Sequence, residues 1–179
     1  MSETAPMPMP AGERADLLET LGKHRFLFRH TVEGLTDEQA RLRPTVSELS
    51  LGGLIKHVSA TESAWADFIV IGPAAMAGPD PADPNADWSA WQNGFLLLPG
   101  ETLAGVLEDY ERVAARTDDL VRSLPDLDAA QPLPVAPWFP PGVSWSARRV
   151  FLHIVAETSQ HAGHADILRE SIDGQKTMG

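Results

Sequence analysis

Four side chains near the end of the sequence could do chemistry together: His153, Glu157, His161 and His164. The stretch Trp145 to Gly174 reads as one long helix, and at 100° per residue these four fall within an arc of roughly 80°. One helical face then carries three imidazoles and a carboxylate. Val150, Ile154 and Leu168 lie on the same or an adjoining face, so the polar groups occupy ground that a packed helix ordinarily gives to apolar residues. Burial there requires a partner. Glu157 and His161 stand four apart on successive turns, the spacing at which helical metal sites chelate one cation.

A further ligand must come from another element. In LGGLIKHVSATESAWADFIVI, the residues Leu51, Leu54, Ile55, Val58, Trp65 and Ile69 form an apolar stripe, and His57 sits on its edge beside Leu54 and Thr61. An edge position points into the seam between two helices. Alone, such a histidine is more often structural; a facing His and carboxylate surface makes it the expected third ligand. His57, Glu157 and His161 would offer two neutral nitrogens and one carboxylate, the set found in catalytic zinc centres that keep an open coordination position. These donors suit zinc, nickel or ferrous iron. His153 and His164 flank the trio and are the expected catalytic helpers, orienting Glu157, carrying protons or hydrogen-bonding a ligand. The competing reading is a polar network that satisfies itself without a metal.

The elements that must position these residues are helical. From Ala11 to Val32, Leu17, Leu21, Phe28 and Val32 repeat at helical spacing; His24 on that stripe is expected to be a hydrogen-bonded core histidine, and His30 a cation at the helix end. Gly34 ends that helix, Thr36 caps a short turn that Pro44 stops, and Ser50 opens the second helix. Residues 72–100 are rich in Pro, Gly, Ala and Asp and predict a crossover loop with a short helix around Asp87 to Asn93. Its Trp88, Trp91 and Phe95 are candidates either for a lid or for simple loop anchors. A third helix spans Thr102 to Leu124, with Leu103, Val106, Leu107, Tyr110, Ala114, Thr117 and Val121 inward and Glu108, Glu111, Arg112 and Arg116 forming a solvated charge face. The stretch PDLDAAQPLPVAPWFPPGV is too proline-rich for a helix and brings Trp138 and Phe139 close to the final one, which Ser144 or Ser146 caps and Gly174 ends.

No repeat, phosphate-binding glycine loop or alternating strand pattern is visible. The reading is an all-α four-helix bundle with two long Pro-rich connections, spanning residues 12–174, with a flexible arm at 1–11 and a tail at 175–179. At 179 residues, 43% hydrophobic and 22% charged, the chain has the size and composition of one globular domain, and no apolar run reaches the eighteen or so residues that span a bilayer. MSETAPMPMPAGERAD lacks the basic start and apolar core of a signal peptide, so a cytoplasmic location is expected. A net charge of −11 argues against nucleic acid or an anionic membrane as partner. There is no cysteine, hence no thiolate ligand and no cysteine nucleophile, and any thiol chemistry must use the sulfur of another molecule.

LTDEQARLRP, SLGGLIKHV and HIVAETSQHAGHADILRESIDG together resemble the DinB-like superfamily of metal-binding four-helix bundles over residues 12 to 174. Many members place two histidines four apart on the last helix; here Glu157 stands at the first position and His161 at the second. That departure resembles the mycothiol-dependent maleylpyruvate isomerases, whose zinc is held by His, Glu and His, which carries over onto His57, Glu157 and His161. The isomerase has an additional C-terminal domain, so isomerisation itself is not expected of these 179 residues. HAGHADILRESIDG is similar to a family of mycothiol transferases. The resemblance implies one divalent metal, zinc first and nickel or iron as alternatives, with a low-molecular-weight thiol of the mycothiol type as co-substrate and a small electrophile as partner. The expected function is a metal-dependent thiol S-transferase. A hydrolase using metal-bound hydroxide and a non-catalytic metal or small-ligand binding protein are the alternatives, and a homodimer is an open assembly.

Overall fold

The computed structural model describes residues 11–79, 83 and 85–177. Most of the expected N-terminal arm and the last two positions of the tail lie outside these residues. Among the described residues there are six α-helices: α1 (Glu13–His30), α2 (Asp37–Arg41), α3 (Leu51–Ile71), α4 (Ser89–Asn93), α5 (Leu103–Ser123) and α6 (Ala147–Asp173). Four are long and make the bundle; α2 and α4 are single turns within connections. Helix α3 packs on α5 and α6, and α1 closes the ring against α6 and α5. This is the expected all-α bundle.

Local chemistry sets where these helices begin and end. Thr36 and Gln39 form a reciprocal capping box, while Ser50, Thr102 and Ser146 each accept a hydrogen bond from the backbone N–H three residues on. Gly174, at φ 78°, takes the left-handed conformation that ends α6 and donates to the Glu170 carbonyl. Arginines satisfy carbonyls at other helix ends: Arg14 donates to Val121 and Leu124, and Arg169 to Thr31 and Glu33.

The final helix starts two residues later than its sequence periodicity predicts. Trp145 and Ser146 belong to a short antiparallel ribbon of β1 (Ala130–Pro132) and β2 (Ser144–Ser146), with Gln131 opposite Trp145. Three-residue strands, one containing a proline that cannot donate, leave no alternation to detect. The ribbon fixes the Trp145 ring beside the first turns of α6.

The core has two apolar clusters separated by a polar layer. One cluster contains Phe28, Leu54, Ile55, Val58, Val106 and Leu168; the other contains Leu21, Trp65, Phe68, Val121, Phe151 and Ile154. Full burial of a side chain such as Phe28, Phe68 or Phe151 contributes about 1.5–3 kcal/mol. Between the clusters, Arg25 of α1 donates to both carboxylate oxygens of Glu62 of α3, at 3.2 and 2.5 Å, and to Asp118 of α5 at 2.7 Å. Arg25 and Glu62 are almost wholly buried. Thr158 of α6 and Tyr110 of α5 are buried too, and their hydroxyls make no well-formed hydrogen bond among the described residues. Burial and the nearby Glu62 charge push the Tyr110 phenol above its ordinary range. Helices α3 and α6, which contribute Glu62 and Thr158 to this layer, also carry the residues of chemical interest.

Candidate metal centre

Helix α3 runs beside α6 in the bundle, and their seam brings His57 of α3 against Glu157 and His161 of α6. One ligand atom from each of the three lies within 4.8 Å of the other two, near enough for side-chain adjustment alone to bring them onto one cation. The His57 and His161 rings meet edge to face, with centroids 4.9 Å apart. Glu157 stands between two imidazoles, its Oε1 3.6 Å from His153 Nε2 and its Oε2 3.8 Å from His161 Nε2. Both separations exceed hydrogen-bonding distance. Among the described residues neither the Glu157 carboxylate nor the His57 ring has a protein hydrogen bond, and this donor set of two imidazoles and one carboxylate fits a divalent ion.

The electrostatics suit ligation as well. Burial, reinforced by the neighbouring His161, lowers the His57 pKa to about 4, so its nitrogens are neutral at pH 7. Burial likewise lowers His161, with His164 adding to the effect. His153 is lowered by burial, a shift that Glu157 opposes and Arg149 reinforces. Neutral imidazoles are the form a metal takes.

Aromatic side chains wall the seam on both sides. After α4 the chain returns across α3, and Phe95 stacks on His57 with centroids 4.1 Å apart; Trp91 in turn packs on Phe95 at 4.9 Å. The close approach depends on Gly53, one turn before His57, where a Cβ would stand 1.9 Å from the Phe95 carbonyl oxygen. On the other side, Trp65 stacks on Trp145 at 4.9 Å, and the His153 ring sits edge-on to both at 4.7 and 5.0 Å. Phe139 closes this cluster, whereas Trp138 is largely exposed.

His57, His153, Glu157 and His161 therefore share one site. His164 stands at its exposed rim, its Nδ1 3.5 Å from that of His161, at the limit of a hydrogen bond. His24 is elsewhere: it pairs with Ser159 at 2.9 Å, as a satisfied histidine of the α1–α6 interface. His30 pairs with Glu33. Arg116, read from sequence as part of a purely solvated face, reaches across to Asp67 and Ser63 of α3. Sequence reading did not single out Arg149, whose guanidinium lies 4.0 Å over the Trp145 ring; an Arg one turn before His153 was the available signal. A cleft of about 510 Å³ opens elsewhere, between α3 and α5. It contains none of these histidines, and its Lys56 is already paired with Glu101 at 2.6 Å. The candidate ligands meet instead in the α3–α6 seam.

The helical bundle, with a His, Glu, His group between two of its helices that could hold a metal ion, is of the DinB-like class. Within it, residues 16–174 match the mycothiol S-transferase family, and the chain belongs to that family. The fold is shared with a crystal structure of a conserved protein from Enterococcus faecalis, at a TM-score of 0.65 and 14% identity, covering 93% of this chain and 100% of that one. No curated protein matches the chain. No helix among the described residues is long and apolar enough to cross a membrane.

Proposed function

We propose that the protein is a metal-dependent thiol S-transferase acting in the cytoplasm, with a divalent ion, zinc by preference, held by His57, Glu157 and His161. The observation that carries this reading is the convergence of three ligand atoms within 4.8 Å on an aromatic-walled seam, in a chain of the mycothiol S-transferase family. With a single anionic ligand the bound ion keeps net positive charge, which favours the thiolate over the thiol form of a small thiol such as mycothiol. The chain's own part is to bind, orient and move a proton. Phe95 and Trp91 shield the His57 side from water, and Trp65 and Trp145 hold the His153 ring beside Glu157. His153, neutral at pH 7, accepts the thiol proton at a ring nitrogen and releases it to solvent, to which its side chain is partly open; His164, at the rim beside His161, would hydrogen-bond a bound ligand. The sulfur then forms a bond to the electrophilic carbon, and the leaving group departs with the electron pair of the bond that breaks.

The test is loss of a model electrophile in the presence of thiol, measured on protein of known metal content. His57→Ala and Glu157→Gln should each lose metal under a mild chelator and lose thiol-dependent conversion, while His153→Ala keeps the metal and converts about 10²- to 10⁴-fold more slowly. Turnover that does not need thiol would replace this reading by a hydrolase. Full metal content in both ligand variants would remove the metal site itself.

A further inference from the structure

Arg148 and Arg149 open the first turn of α6, the end of the helix where its dipole already favours negative charge. Arg148 is neutralised by Glu13 and Asp128. Arg149 has no ion-pair partner among the described residues and is exposed, yet its guanidinium is held over the Trp145 ring at 4.0 Å. Trp145 touches His153, and His153 touches Glu157. Arg149, His153 and Glu157 follow one another at intervals of four along α6, so the backbone of Arg149 lies roughly 12 Å along the axis from that of Glu157. A cation stacked on an indole, with no counter-ion among the described residues, thus stands two turns from Glu157, in a chain whose net charge is −11.

We propose that Arg149 is an anion-binding subsite of the α3–α6 seam, and that the electrophiles the protein prefers carry a carboxylate or similar anion some 6–12 Å from the carbon that sulfur attacks. Stacking on Trp145 restricts the guanidinium before the ligand arrives, which lowers the entropy cost of binding, while its N–H groups, unpaired among the described residues, can donate to two oxygens of one anion. The role in specificity rests on the thiol-transfer reading; the binding of an anion at Arg149 does not.

The experiment therefore has two arms, both on the metal-loaded full chain. In the first, 4-(bromomethyl)benzoate and its methyl ester compete for the same thiol; in each the C–S bond forms, the C–Br bond breaks, bromide leaves with the electron pair and the thiol proton goes to solvent. The wild type should favour the carboxylate by about tenfold or more in kcat/KM, and Arg149→Gln should bring that ratio towards unity through KM, with Arg149→Lys between the two. In the second arm, unreactive 4-methylbenzoate is titrated against tryptophan fluorescence. Binding should weaken about tenfold or more in Arg149→Gln at unchanged circular dichroism. Equal 4-methylbenzoate affinity in wild type and Arg149→Gln would overturn the subsite, as would an unaltered electrophile ratio. Arg149-dependent benzoate binding with no thiol-dependent conversion in the wild type would instead sink the transferase reading and leave the anion subsite standing.

Discussion

The ring of Phe95 lies nearly parallel to that of His57, 20° from coplanar and 4.1 Å away between centroids, although 38 positions separate them in the chain. The contact depends on a residue with no side chain. Gly53 lets the backbone of the returning loop rest on α3, and Gly52 leaves room for the Leu97 side chain and the Ala40 carbonyl.

Gly53→Ala would place a methyl 1.9 Å from the Phe95 carbonyl oxygen, a backbone atom that cannot swing aside. The loop must lift, at a cost of about 1–3 kcal/mol. Thermal unfolding should show a clear loss of stability, while Gly22→Ala, with open space around the added methyl, should be neutral or slightly stabilising. Equal melting of Gly53→Ala and wild type would mean that the loop does not rest on α3.

The buried Arg25, Glu62 and Asp118 group leads to a second expectation. Glu62→Ala leaves a buried guanidinium with only the partly exposed Asp118, and should cost about 3–5 kcal/mol in urea unfolding. Replacing both members, Arg25→Met with Glu62→Leu, should recover much of that loss, because the desolvation penalty disappears with the charges. A double variant as unstable as the single one would show that the pair contributes net stability.

His57 sets the sign of a pH effect in metal-free protein. Its folded pKa of about 4 lies below the ordinary 6.5, so the unfolded chain binds the proton more readily. Stability from this group is fully present above about pH 6.5 and is lost as pH falls through that value towards about 4. His57→Gln should flatten this part of the stability profile, measured by urea midpoints across that range. An unchanged slope would place the origin elsewhere.

Much of the bundle and the candidate centre was legible because both rest on local periodicity. Glu157 and His161 share a face by spacing alone, and His57 shows itself as a polar interruption at the edge of an apolar stripe. Arg25 and Glu62 were not legible in the same way. Each is a charge on a helix that faces inward, and only the packing of α1 on α3 and α5 shows why it is tolerated. The same applies to the walls of the site. Phe95 and Trp145 come from irregular segments whose path is set by Gly53 and by a three-residue ribbon, features with no period to read.

The central claim, that a cation held by His57, Glu157 and His161 takes a small thiol as its ligand, is tested most directly by the absorption spectrum of the cobalt-loaded protein during titration with mycothiol. Sulfur is a softer and more easily oxidised donor than water, so thiolate ligation should add a charge-transfer band in the near ultraviolet that saturates at about one thiol per bound cobalt. The same titration on Glu157→Gln, reconstituted with excess cobalt, should show a weaker response. A fully cobalt-loaded wild-type protein whose spectrum stays unchanged at saturating thiol would contradict the account.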